Sequence, residues 1–147
     1  MVSYFVVCYP NMCHSALLPN GLRVLVVDAN ADSSELLTLL FASYGVETTT
    51  ATCVREAIQQ IHQTRPDLLI SELALPQEDG YALIRQVQAL ETTFNVRIPA
   101  IAVTVYTRTT DRLQALSAGF SRHLSKPIDF DELIATVASV TEQVEAV

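Results

Sequence analysis

Apolar positions along this chain switch repeatedly between a strand-like and a helix-like period. Leu22 to Val27 is a compact apolar run ending at Asp28, the pattern of a strand buried on both faces. Leu36, Leu37, Leu40, Phe41 and Tyr44 then recur at helical spacing, after start signals in Asp32-Ser33-Ser34-Glu35 and before a stop at Gly45. Val46 to Ala51 is Thr-rich and strand-like. Thr52 is placed to cap a helix whose inner stripe is Val54, Ala57, Ile58 and Ile61, ended by Pro66. Leu68 to Ser71 is a third strand; Asp79-Gly80 is a turn, and Tyr81, Ile84, Val87 and Leu90 share one helical face. Ile98 to Thr104 predicts the fourth strand and Arg108 to Ala118 the fourth helix, with Leu113 and Leu116 inside and Gly119 as its stop. Phe120 to Ser125 is a short fifth strand. The run from Asp129 to Glu132 fits a capping box before the last helix, with Leu133, Ile134, Val137 and Val140 as its inner face.

Strict alternation of strand and helix predicts an α/β fold with a parallel five-stranded sheet covered by helices on both faces. Right-handed crossovers leave few topologies, and five units fit a flavodoxin-like (βα)5 three-layer sandwich with strand order 2-1-3-4-5. Residues 1–20 precede the pattern and read as an N-terminal extension; residues 21–147 read as one domain. Within the extension, Val2 to Tyr9 reads as a strand that extends the sheet edge of its own domain or pairs with a second chain. Cys8, Cys13 and His14 lie close together, but three such groups lack the fourth ligand of a structural metal site.

The chain has 147 residues, half of them apolar and 17% charged, which suits a single soluble globular domain. Its longest apolar runs are far shorter than the ~20 residues that span a bilayer, and its start lacks the basic region of a signal peptide. A cytoplasmic location is expected. The net charge of -7 disfavours direct contact with nucleic acid, whose phosphates need a basic surface, so proteins are the expected partners. Three cysteines make an odd set without metal spacing, and four glycines form no phosphate-cradling loop.

In the 2-1-3-4-5 order, the ends of strands one, three, four and five converge. They carry Asp28, Glu72, Thr104 and Lys126, the last being the only lysine in the chain. Two carboxylates, a hydroxyl and an ammonium at one rim form at the least a structural ion pair.

The stretches Arg23 to Asp32, Pro66 to Tyr81, Ile98 to Thr104 and His123-Leu-Ser-Lys-Pro127 resemble the receiver domain of bacterial response regulators, the CheY-like fold, and most of all the receivers of hybrid histidine kinases. The resemblance runs from about residue 22 to residue 143. It implies a signalling module and not an enzyme. In that family an aspartate after the third strand accepts a phosphoryl group from a phosphohistidine, and two adjacent acids after the first strand help to hold Mg2+. A Ser or Thr and a Lys contact the phosphoryl group, the lysine precedes a proline that is usually cis, and an aromatic three positions earlier changes rotamer on activation. Carried over, Asp28 matches the first acid, Thr104 the hydroxyl, Lys126 the lysine and Pro127 the cis-proline candidate.

The departures are equally specific. Ala29 replaces the second acid, Glu72 stands at the phosphoacceptor position and His123 at the switch position. Mg2+ demands near-octahedral oxygen coordination, and with Asp28 and Glu72 the only acids left its binding is expected to be weak or absent, so no cofactor is expected. Glu72 also carries its carboxylate about 1.5 Å further out than aspartate would, which in-line transfer tolerates poorly. The expected function is that of a stand-alone atypical receiver, or pseudo-receiver, acting by protein docking. Glu72 would reach toward Lys126 and Thr104 and partly imitate the phosphorylated state, or the site would be inert. The alternative is a working phosphorelay receiver using Glu72, Glu78 or Asp79. A small hydrolase at the same rim lacks a nucleophilic Asp, Cys or Ser after the third strand.

His123 is expected as a partly exposed ring beside the fifth strand, with titration near neutral pH the other reading, and Tyr106 is expected to pack locally. The resemblance implies that a histidine kinase, phosphotransfer protein or effector docks on helix four, strand five and helix five, where Arg108, Arg112, Arg122 and His123 lie beside Asp129, Asp131 and Glu132. The chain ends soon after the fifth helix, so output is expected to pass through another protein. A monomer or weak homodimer is expected, without membrane association.

Overall fold

The computed structural model describes the backbone of residues 4–9 and 12–145 and the side chains of residues 18–142. Two short strands, β1 (Tyr4–Tyr9) and β2 (Met12–Pro19), precede the alternating part. There β3 (Arg23–Val27), α1 (Ala31–Ala42), β4 (Glu47–Ala51), α2 (Val54–Thr64), β5 (Leu68–Ser71) and α3 (Gly80–Phe94) follow in turn. The chain continues with β6 (Ala100–Thr104), α4 (Thr109–Ala118), β7 (Arg122–Ser125) and α5 (Phe130–Glu145). The main sheet is parallel throughout, in the order β4-β3-β5-β6-β7. Counted from β3, this is the 2-1-3-4-5 order of a CheY-like (βα)5 sandwich. No helix among the described residues is long and apolar enough to cross a membrane.

The two faces of the sheet sort the apolar residues by strand alternation. Val24 and Val26, Leu68 and Ile70, Ile101 and Val103, and Leu124 pack with Leu37 and Phe41 of α1 and Leu133, Ile134, Val137 and Val140 of α5. Their neighbours Leu25 and Val27, Leu69, Ala100 and Ala102 pack with Val54, Ala57 and Ile61 of α2, Leu83, Ile84 and Val87 of α3, and Ala115 of α4. The central strands are thus apolar on both sides, which is why they read as unbroken runs.

Three expectations need correction. The N-terminal strand does not join the main sheet: β1 pairs antiparallel with β2 in a separate two-stranded sheet, β2 lies against α5, and Leu18 enters the α1/α5 core. Residues 1–3 and the side chains of Cys8, Cys13 and His14 lie outside the described residues. Leu113 and Leu116 face outward, 58% and 42% exposed, and Ala115 is the buried residue of α4. Of the apolar residues at helical spacing in α1, Leu36 is 45% exposed, while Leu37, Phe41 and Tyr44 are buried. Thr52 is not the cap of α2: Cys53 holds that position without a side-chain cap bond, and the Thr52 amide and hydroxyl both donate to Glu56.

Gly119, at φ 123°, ends α4 beside the Gln88 side chain of α3, and Ala115 is the α4 residue that packs into the α2/α3 core.

Burial makes one contrast measurable. Phe41 is fully buried and Leu39 on the same helix is 64% exposed. Phe41→Ala is expected to lower the unfolding free energy by ~3–5 kcal/mol, and Leu39→Ala to change it by no more than about 0.5 kcal/mol, read by urea denaturation.

Candidate functional site

The ends of four adjacent strands meet at one rim of the sheet. Asp28 follows β3, Glu72 follows β5, Thr104 closes β6 and Lys126 follows β7. Backbone hydrogen bonds continue the ladder past the strands: Asp28 N donates to Ala51 O (3.0 Å), Glu72 N to Val27 O (2.9 Å) and Lys126 N to Thr104 O (2.9 Å). These bonds fix where the side chains emerge. Beyond the lysine, the Lys126–Pro127 peptide bond is cis.

Lys126 reaches back across the rim between the two carboxylates. Its Nζ donates to Asp28 Oδ2 at 2.7 Å and lies 3.0 Å from Glu72 Oε1. The remaining oxygens are also taken. Asp28 Oδ1 accepts from Asn30 N (2.9 Å), and Glu72 Oε2 accepts from Leu73 N (2.7 Å) and Ala74 N (3.3 Å). Both acids are only 8% exposed, and every one of their four oxygens is met by a donor of the chain itself. Ala29, between Asp28 and Asn30, supplies no oxygen ligand from its side chain.

Burial works against the charge on Lys126, but its hydrogen bonds to Asp28 and Glu72, together with their charges, outweigh that and hold its pKa above the ordinary lysine value. The ammonium is therefore charged throughout the neutral range and balances one of the two carboxylate charges.

Of the four rim residues the sequence groups together, three are joined by direct contacts. Thr104 is fully buried, but its hydroxyl accepts from Tyr106 N (3.2 Å) and does not bond Glu72. Glu72 thus reaches Lys126 as expected and the local amides in place of Thr104. His123 is buried, not partly exposed; its Nε2 lies 2.9 Å from Tyr106 O. The Tyr106 side chain is half exposed, and it is the backbone of this residue that ties the β6–α4 loop to Thr104 and to His123.

Two contributors escape the sequence reading. Asn30 caps α1 by accepting from Ser33 N (3.1 Å) while its own amide holds Asp28; an Asn just before a helix start was the available signal. Gly80, read only as a turn residue, lets the start of α3 close onto the Glu72 peptide. Its N donates to Leu73 O at 2.8 Å, and a Cβ there would lie 2.7 Å from Glu72 O.

Comparison with known proteins gives a consistent result. Residues 24–138 match the family model for the response regulator receiver domain. The chain is 40% identical over 114 residues to an uncharacterised 14.6 kDa protein of the sodA1 3' region in Leptolyngbya boryana, covering 78% of this chain and 86% of that one. It is 30% identical to the Escherichia coli transcriptional regulatory protein ZraR, covering 80% of this chain but only 26% of ZraR. It is 29% identical to hybrid signal transduction histidine kinase D of Dictyostelium discoideum, covering 86% of this chain and 8% of the kinase. Among solved structures, the receiver domain of a histidine kinase from Syntrophus aciditrophicus superposes with a TM-score of 0.75 at 27% identity, covering 86% of this chain and 95% of that one. The Francisella response regulator 1452 receiver domain gives 0.74 at 25% identity, with 84% and 98% covered.

The ion triad predicts an alkaline signature. A lysine whose pKa is raised by folding contributes stability that is complete below the unfolded pKa and is lost as pH rises through the folded one. Stability is expected to hold to about pH 10 and then to decline, in part through Lys126. Lys126→Met is expected to cost about 2–3 kcal/mol at neutral pH, less than a fully buried pair because the ammonium keeps some solvent. It should also flatten the alkaline decline, as read by thermal melts from neutral pH upward.

Proposed function

We infer that this chain, which belongs to the response regulator receiver-domain family, signals by docking a partner protein and not by accepting a phosphoryl group, with Glu72 at the phosphoacceptor-equivalent position. Members of this family act in two-component signalling, where they interact with histidine kinases, phosphotransfer proteins and effectors. The observation that carries the reading is the saturation of the rim: all four oxygens of Asp28 and Glu72 already have donors from the chain.

The residues present do not fit Mg2+. The Lys126 ammonium fills the space between the two carboxylates at 2.7 and 3.0 Å, and Ala29 removes the third acid. A divalent ion would have to displace a cation that is covalently tethered, and it would gain only two carboxylates in return. Transfer to Glu72 would also need its carboxylate to leave the Leu73 and Ala74 amides. Glu72 reproduces the lysine contact of a phosphoryl group but not the hydroxyl contact, since Thr104 is turned to Tyr106. It is a partial imitation of the phosphorylated state.

The docking face is read on α4, β7 and α5. Leu113 and Leu116 of α4 are exposed there, as are Val105 and Tyr106 of the adjoining β6–α4 loop, and exposed apolar residues bordered by charge suit a protein partner. A histidine kinase, phosphotransfer protein or effector is the partner class this supports.

Incubation with radiolabelled acetyl phosphate and Mg2+ tests the reading. The wild-type chain is expected to take up no label, and the double variant Ala29→Asp, Glu72→Asp, which restores the acids of an ordinary receiver, is expected to gain Mg2+-dependent label. Stoichiometric labelling of the wild type that is lost in Glu72→Gln would establish the phosphorelay reading in its place.

A further inference from the structure

We propose that β1 is the contact strand of a homodimer: the β1 strands of two copies pair antiparallel across a two-fold axis and join their hairpins into one four-stranded sheet. Among the described residues, β1 (Tyr4–Tyr9) has β2 as its one strand neighbour. β2 in turn lies against α5, so the hairpin is seated on the body through β2 and β1 is its outer strand. In an antiparallel pair every second residue of an edge strand turns its N–H and C=O away from the partner. That row of donors and acceptors is a template for a further strand.

Edge strands are ordinarily blunted by charge, proline or a bulge, and β1 has none of these. Its sequence, Tyr-Phe-Val-Val-Cys-Tyr, is rich in aromatic and β-branched residues and holds no charged residue and no proline. Tyr4, Phe5, Val6 and Val7 pair one for one with Pro19, Leu18, Leu17 and Ala16. Before the next pair, Tyr9 with Met12, β1 advances two positions and β2 four. The extra residues therefore belong to β2, and β1 keeps a regular edge.

The distribution of charge selects the occupant. No Asp, Glu, Lys or Arg precedes Arg23; all 16 acidic and 9 basic residues lie from there on and give the net charge of -7. Two copies repel through their acidic bodies, and the hairpin is the stretch on which they meet without like charges in the contact. A second β1 brings no charge to this edge, matches its hydrogen bonds and is present on every copy. Pairing about a two-fold is also closed: it uses both β1 edges, and the outer strands are then the two β2 strands, each against its own α5. A lone two-stranded hairpin is marginal in water and a sheet of three or more strands is not, so pairing consolidates the hairpin of each copy. One short strand per copy is a small interface, and the dimer is accordingly weak and concentration-dependent. This inference stands apart from the docking reading, which places a partner on α4, β7 and α5.

The test is sedimentation of the full chain from about 5 to about 500 μM, at low and at high salt, with amide hydrogen exchange of residues 4–9 at both ends of that range. The mass is expected to double and grow no further, and to do so at lower concentration in high salt, which screens the repulsion between the bodies. Alternate amides of β1 are expected to be protected in the dilute chain and consecutive amides in the concentrated one. Val6→Lys, which puts a like charge on each copy near the middle of the paired strands, is expected to keep the chain monomeric throughout. The double variant Leu113→Glu, Leu116→Glu on α4 is expected to leave the dimer intact. A wild-type chain that stays monomeric at the highest concentration, growth past the dimer, or a dimer kept in Val6→Lys would overturn the proposal. So would β1 protection that does not change with concentration, a measurement on the wild type that decides the matter if Val6→Lys fails to fold.

Discussion

The arrangement of this protein turns on one ammonium group shared by two nearly buried carboxylates. Two acids at the rim of a low-dielectric sheet repel each other and lose their hydration. Lys126 answers both costs at once, at 2.7 Å from Asp28 and 3.0 Å from Glu72. The contact also joins the ends of β3, β5 and β7, strands that are separated in sequence by long helical connections. Its geometry is supported from behind by the Asn30 amide on Asp28 and the Leu73 and Ala74 amides on Glu72. What would be an open rim is closed by the chain's own donors.

The rest of the fold distributes rigidity unevenly around that rim. The α1/α5 face is built from large apolar residues and is deepened by Leu18 at the end of the N-terminal hairpin. On the other face, α4 is seated through Ala115 alone among its buried side chains and leaves its leucines outside. A helix with few buried apolar contacts belongs to the low-stability end of the molecule. In the β6–α4 loop beside it, Tyr106 is held by two hydrogen bonds, one to Thr104 and one to His123. The β6–α4 loop and α4 are therefore the part of this face most easily repositioned.

Much of this was legible in the sequence, for physical reasons that differ by element. The strands between helices were plain because parallel strands buried on both faces leave unbroken apolar runs, and right-handed crossovers left few orders, of which five units fit the flavodoxin-like one. Asp28, Glu72, Thr104 and Lys126 were found because polar residues at the ends of such runs are conspicuous. The α4 assignment failed because Leu113 and Leu116 satisfy the helical period as well as Ala115 does, and which face of the helix meets the core is set by packing against other helices. The burial of His123 and the role of the Tyr106 backbone were hidden too, since a main-chain carbonyl leaves no trace in residue identity. The hairpin was missed because strand pairing is chosen by tertiary context, here the surface of α5.

The claim that the rim is closed to metal and phosphoryl chemistry is tested most directly by titrating Mg2+ with and without beryllofluoride, a phosphoryl mimic, and following the NMR resonances of Glu72, Thr104 and Lys126. A self-satisfied rim predicts no saturable, beryllofluoride-dependent change at these residues. A saturable shift that requires both Mg2+ and beryllofluoride would contradict it and show that Asp28 and Glu72 still serve as a working acceptor site.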